Sequence, residues 1–258
     1  MTMPAEESTI ADDRLLDNPV WASLTGAHAH LAERNEDAAR YPRDVAPFVA
    51  LADAADGKSW LDLAQLLGPG VVVVVPGISE APDGWEIVES IHGVQLVDIS
   101  LRAETDDEAL RLDHADVPEI LELIARTKPG PFLSRTIEIG DYFGIRRDGA
   151  LVAMAGERLH PPGWTEISAV CTDAAYRGQG LGTRLLRHVA ARIRERGESP
   201  FLHAAATNVN AIRLYESIGF AHRREIRFLL VRTPSTPTGW SDSEAPILAR
   251  VKHGYPTG

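Results

Sequence analysis

The segment Thr172-Asp173-Ala174-Ala175-Tyr176-Arg177-Gly178-Gln179-Gly180-Leu181-Gly182-Thr183 constrains this chain most. An apolar, strand-like run, Trp164 to Thr172, leads into it. An amphipathic helix pattern follows, with Leu181, Leu185, Leu186, Val189 and Ile193 on one stripe and Arg184, Arg187, Arg194 and Arg196 mostly off it. Glycines let the backbone approach a ligand closely and turn successive N–H groups one way. At a helix N-terminus those unpaired donors and the helix dipole form an anion site, and Arg177 adds a cation beside it. A phosphate or pyrophosphate suits such a loop. Two common phosphate loops are excluded. A dinucleotide fingerprint starting at Gly178 would need glycine at Thr183, and a P-loop would need a Gly-Lys-Ser/Thr run. A plain Gly-rich connection with no ligand remains the alternative.

The flanking pattern predicts a mixed α/β fold. Asp113 or Asp116 caps a helix with Pro118 in its first turn and Ile120, Leu121, Leu123 and Ile124 as apolar positions. Strands are expected over 142–147, 151–159 and 164–172, the first pair joined by an Asp148-Gly149 turn. Helix 181–196, strand 200–206, helix 210–218 and strand 220–232 follow. The first hundred residues predict a helix from Asn18-Pro19 through Arg40, a short helix 60–67, and strands over 71–75, 85–89 and 93–101.

Charge divides the chain. Residues 1–100 carry 17 acids and 5 bases, against 20 and 21 in the remainder. With a polar run from Arg102 to Glu108, this suggests a junction near residue 100: an acidic α/β domain over 1–100 and a second domain over 101–258. The balance argues against nucleic acid and anionic membranes as partners, and suits a cationic small substrate or simply a solvated surface. No apolar run reaches the length of a membrane helix, and the polar start lacks the basic region of a signal peptide. The single cysteine, Cys171, fits a reducing cytoplasm. Its neighbours offer no nucleophile motif, and a small buried hydrophobe is the plainer reading. His28 and His30 do not share a helix face, so no metal is expected.

Arg177-x-x-Gly180-x-Gly182 resembles the acetyl-CoA pyrophosphate loop of the GNAT superfamily of N-acetyltransferases. Asn208-x-x-Ala211-Ile212-x-Leu214-Tyr215-x-x-x-Gly219-Phe220 resembles that family's downstream helix signature. The resemblance covers roughly 111–232. It implies a GNAT-like α/β fold with a mixed sheet, acetyl-CoA as co-substrate without a metal, and transfer of acetyl to a primary amine in a ternary complex. A non-catalytic acyl-CoA sensor on the same fold is the alternative. It implies that Val170 and Thr172 bond the pantetheine arm through their backbone. Arg177, Gly178, Gln179, Gly180, Leu181, Gly182 and Thr183 would hold the pyrophosphate, and Asn208 would contact the cofactor. Tyr215 would protonate the leaving thiolate.

The residues leave alternatives open. Tyr215 shares a helical stripe with Ala211, Leu214 and Ile218, so it can also be a core aromatic. Asn208 can be a helix cap, although Asn210 stands closer to the expected helix start. For the base that deprotonates the amine, Glu166 ranks first, on a face shared at period two with Ser168, Val170 and Thr172. Glu157 and His203 follow, the one also readable as an ion-paired carboxylate and the other as a satisfied core histidine. The acceptor is a small-molecule or peptide amine, and a homodimer is common in the family. The first half is expected to be a degenerate copy of the fold that helps wall the acceptor cleft, or a stabilising appendage.

Overall fold

The computed structural model describes residues 12–235. Five helices and eleven strands follow in order: α1 (Pro19–Thr25), β1 (Glu33–Asn35), β2 (Ala38–Arg40), β3 (Val49–Leu51), α2 (Gly57–Leu67), β4 (Val72–Pro76) and β5 (Glu86–Asp98) lie in the first hundred residues. Then come β6 (Leu110–Leu112), α3 (Val117–Thr127), β7 (Tyr142–Arg147), β8 (Ala150–Glu157), β9 (Trp164–Thr172), α4 (Leu181–Glu195), β10 (Ser199–Ala205), α5 (Val209–Ser217) and β11 (Phe220–Arg232). Strands β1 to β3 form a small sheet. The others form one eight-stranded mixed sheet in the order β4-β11-β5-β10-β9-β8-β7-β6.

The expected elements of the second half are present. Asp113 and Asp116 form a capping box around a short 3₁₀ turn that leads into α3, so the carboxylates satisfy the orphan N–H groups there. The stripe of α4 is buried throughout: Leu181, Leu185, Leu186, Val189 and Ile193 pack on Ala153, Ala155 and Ile167 of β8 and β9. Helix α3 covers the opposite face, where Ile120 and Leu123 meet Met154 and Cys171. The cysteine is thus buried on the face away from α4.

The first half differs from expectation in three ways. The helix from Pro19 stops at Thr25, with Gly26 as its C-cap. Residues 33–40 are instead a hairpin turning through Glu36. The helical spacing of His28 and Leu31 is therefore incidental; burying Ala38 and Ala39 in strand form decides the local structure. The two strands expected between 85 and 101 are a single strand, β5. Gly93 makes this possible, because a Cβ there would sit 2.9 Å from the Ala204 carbonyl oxygen and 3.1 Å from Phe228, and only glycine lets neighbouring chains close in so tightly.

The third difference concerns the junction near residue 100. Strand β5 lies between β10 and β11 and pairs antiparallel with both. Strand β4 pairs with β11 on its other side. A boundary at 100 would cut a continuous hydrogen-bonded sheet, and residues 12–98 form no separate copy of the fold. Their remaining elements pack on the second half: Leu16, Val20, Leu24, Tyr41 and Phe48 bury against Leu159, Trp164 and Phe201.

Candidate active site

Strands β9 and β10 run parallel, but they pair only at Ser199–Trp164, Pro200–Thr165 and Phe201–Glu166. Beyond that vertex they part. The gap is a cleft of about 560 Å³ lined by Ile167 to Thr172 on one side and Leu202 to Ala205 on the other. Each of these edges is hydrogen-bonded to its outer neighbour, β8 or β5. The inner edges offer main-chain groups to whatever enters.

Strand β9 carries a bulge beside this cleft. Gly156 faces Ser168 and Met154 faces Cys171, so three steps on β9 match two on β8. Ala169 absorbs the extra residue with φ of 54°. A bulge of this kind re-aims the residues after it. The expected shared face is therefore broken. Val170 packs with Ile167 on the α4 side, while Glu166 faces the other way, toward Arg158 and His203.

At the far end of β9 the chain makes a 3₁₀ turn, Ala174–Tyr176, capped by Asp173, which Arg126 holds at 2.9 Å. Then the glycine turn begins. Gly180 is the N-cap of α4 with φ of 75°, in left-handed backbone. A Cβ there would meet nothing within 4 Å, so the glycine is required by conformation rather than by space. Among the described residues, no protein acceptor engages the backbone N–H groups of Gly178, Gln179, Gly180, Leu181, Gly182 and Thr183. The first bond of the helix runs from Arg184 N–H to the Gly180 carbonyl. Leu181 contributes its N–H while its side chain is buried. Exposed Arg177 pairs with no carboxylate among the described residues; its Nε lies 3.5 Å from the Thr172 carbonyl oxygen. Six free donors, a helix dipole and one cation can hold a diphosphate.

Tyr215 lines the cleft from α5. Its ring stacks edge-on to Phe220, and no described residue hydrogen-bonds its hydroxyl. Burial raises its pKa above the ordinary phenol value, so it carries its proton at neutral pH. Asn208 is the N-cap of α5: its Oδ1 accepts from Ala211 N–H at 3.3 Å. This corrects the expectation that Asn210 caps and leaves Asn208 free. The helix starts one residue earlier than periodicity suggested. Both asparagines line the cleft, and Asn208 retains its Nδ2 donors.

The vertex of the cleft holds a buried ionic network. Arg158 donates from Nε and Nη2 to both oxygens of Glu166, at 2.8 and 2.6 Å. His203 Nδ1 donates to the same carboxylate at 2.7 Å. Gln95 Nε2 donates to the Leu16 carbonyl at 2.9 Å and lies 3.0 Å from His203 Nε2. Arg223 donates to Gln95 Oε1 at 2.9 Å, which fixes the amide's orientation. The Gln95 amide therefore points its Nε2 donor at His203 Nε2, and His203 Nδ1 faces Glu166. Glu166 is wholly buried, which by itself would raise its pKa, yet Arg158 and His203 hold it down at about 2.

This arrangement overturns the ranking of Glu166 as the base. A carboxylate with both oxygens engaged and so low a pKa is a poor proton acceptor, and Glu166 does not line the cleft. His203 does line it, but both ring nitrogens are occupied. Glu157 is buried against Arg196 and near His160; desolvation raises its pKa, with Arg196 opposing. It too is outside the cleft. Sequence reasoning missed Arg158, Lys128 and Gln95. No local pattern marks them, because their partners or neighbours in the site come from other strands.

An FR47-like family model matches residues 142–229, from the start of β7 into β11. A putative acetyltransferase from the GNAT family of Novosphingobium aromaticivorans superposes with a TM-score of 0.76 at 38% identity, covering 86% of this chain and 99% of that one. The chain belongs to the GNAT family. At that coverage the likeness reaches well into the first hundred residues, in keeping with β5 lying inside the GNAT sheet. Two curated relatives are shorter matches. N-alpha-acetyltransferase RimI of Mycobacterium tuberculosis is 40% identical over 82 residues, 31% of this chain and 51% of RimI. An uncharacterized protein of Mycobacterium leprae is 30% identical over 200 residues, 69% of this chain and 54% of that protein. The GNAT chain thus spans about half the length of these relatives. None of its described helices is long and apolar enough to cross a membrane, and its described residues include no cluster of metal-ligating side chains.

Proposed function

We propose that this GNAT chain is an acetyl-CoA-dependent N-acetyltransferase that moves an acetyl group to a primary amine by direct transfer in a ternary complex. The observation that carries the reading is the run of six unengaged backbone N–H groups from Gly178 to Thr183 at the end of a cleft that Tyr215 also lines. Acetyl-CoA would supply a thioester carbon open to attack by an amine.

Under this reading Arg177 and the amides of Gly178 to Thr183 bind the pyrophosphate. The exposed edge of β9 at Val170 and Thr172 guides the pantetheine arm. Free N–H groups on the parted strands stabilise the charge that develops on the carbonyl oxygen, where one such donor contributes about 3–4 kcal/mol. Tyr215 donates its proton to the departing sulfur, and the proton lost by the amine nitrogen returns to solvent or restores the phenol. Holding amine and thioester together supplies much of the rate. Asn208 contacts the arm through Nδ2 while its Oδ1 caps α5.

The lining of the cleft has no carboxylate among the described residues. The unengaged Tyr215 hydroxyl favours an enzyme over an acyl-CoA sensor, since a sensor has no use for a free acid at that place. Calorimetry with acetyl-CoA, ATP and NAD tests the site; heat with acetyl-CoA alone is expected. Thiol release over an amine panel tests turnover, and binding without release from any amine would identify a sensor.

A further inference from the structure

The acidity of the first half suggested cationic acceptors, but its acids do not reach the cleft. All described lining residues fall between Thr127 and Tyr215. The charged ones are Lys128, Arg158 and Arg177, all cations. With Arg177 assigned to the pyrophosphate end, two cations remain for the acceptor.

Arg158 is built as a rigid donor. Two of its nitrogens are locked on Glu166, which is itself wholly buried and backed by His203. The Arg158 side chain is 12% exposed, and that exposure opens on the cleft. Its remaining nitrogen, Nη1, has no acceptor among the described residues. Phe48 lies against the guanidinium plane at 5.0 Å, fixing it further. Lys128 follows the last residue of α3, exposed, in left-handed backbone and without an ion-pair partner among the described residues. It lies on the cleft's α3 side, opposite α4 and the glycine turn.

Resting on the transferase reading above, we propose that the acceptor is a small amino acid whose carboxylate is bound by Nη1 of Arg158, with Lys128 contributing at the rim. A guanidinium with free N–H groups makes strong charge-assisted bonds to a carboxylate, and preordering by Glu166 reduces what is lost on binding. Arg158 is charge-balanced by Glu166 and supplies a directed N–H donor, while Lys128, with no ion-pair partner among the described residues, disfavours a second ammonium beside it and so selects against polyamines and aminoglycosides. The covalent step is unchanged: the amine lone pair forms the C–N bond, the C–S bond breaks, Tyr215 protonates the sulfur, and the amine's proton leaves to water.

Thiol release by the full chain is measured with glycine, alanine and glutamate, each against its α-carboxamide, and with spermidine and a Glu-Ala dipeptide amide. The expected result is a kcat/KM at least tenfold higher for the amino acids than for their carboxamides, with spermidine lowest. The dipeptide amide separates a free amino acid from an acidic peptide N-terminus: slower turnover than glutamate is expected. In Arg158→Lys the KM for amino acids rises at least fivefold while that for the carboxamides does not, so the ratio falls toward one; acetyl-CoA affinity by calorimetry is unchanged. If that variant does not fold, Lys128→Gln and the wild-type ratio carry the test, with a two- to threefold fall in the ratio expected. Carboxamides or spermidine used as well as amino acids, the dipeptide amide preferred to glutamate, or no turnover of any amino acid by protein that binds acetyl-CoA would overturn the proposal. Failure to bind acetyl-CoA would instead refute the transferase reading beneath it.

Discussion

The two ends of the cleft are made in opposite ways. The glycine turn is local, exposed and built from backbone: one stretch of sequence supplies all six free N–H groups, and side chains matter little there. The vertex is nonlocal, buried and built from side chains: Gln95 comes from β5, Arg158 from the residue after β8, Glu166 from β9, His203 from β10 and Arg223 from β11. A backbone site requires only that the chain adopt the right dihedrals. A buried ionic site requires that every charge find its partner, since a lone charge in the interior is costly. The first kind of site tolerates exchange of its side chains, and the second does not.

Substitutions at the two ends should separate accordingly. Glu166→Gln leaves Arg158 buried without its counter-charge, and a loss of about 3–5 kcal/mol in stability is expected, read as a lower midpoint in urea for the ligand-free protein. A wild-type midpoint would remove the distinction between the ends. Tyr215→Phe is expected to lower kcat at least a hundredfold, within the usual range of about 10²–10⁴ for a general acid, with little change in stability or in acetyl-CoA affinity. An equal loss of affinity would make Tyr215 a packing residue. Gly180→Ala forces a Cβ into left-handed backbone at a cost of about 1–2 kcal/mol. Open space surrounds it, so weaker acetyl-CoA binding rather than misfolding is expected, measured by calorimetry beside a melting curve.

The smallest effect concerns pH. His28 is buried against Tyr41 and His160, and burial lowers its pKa to about 3. The unfolded chain takes up that proton near the ordinary value of 6.5, so its contribution to stability is complete above that pH and is lost as pH falls toward 3. Between pH 7 and pH 6 the loss from this residue is about 0.7 kcal/mol. Glu166 acts in a lower window: its depressed pKa gives stability above about pH 4.5 that disappears toward pH 2. His160 and His188 are also lowered by burial and act in the same window, so His28→Gln should reduce the first window's slope without removing it and leave the second unchanged; a slope unaltered by that substitution would show that His28 does not contribute.

Much of the second half was legible because its signals are periodic and short in range. The strand Trp164–Thr172, the stripe of α4 and the glycine turn all coincide with what spacing predicts. The bulge at Ala169 was not legible, since alanine carries no mark of left-handed backbone, and it turned Glu166 away from Val170. The Asn208 cap was missed by one residue, the ordinary uncertainty of a helix end. In the first half, short strands with little alternation left a helical spacing at His28 and Leu31 that tertiary packing overrode.

The sequence by itself determined the glycine turn, the amphipathic helix behind it and the tyrosine placed one helix later, because each depends on neighbours along the chain. Only the tertiary structure decided that a strand from the first hundred residues completes the sheet, and that Glu166 is a locked counter-ion rather than a base. Strand order and buried charge pairing depend on residues far apart in sequence, and local pattern does not record which partner a strand edge or a charge will find.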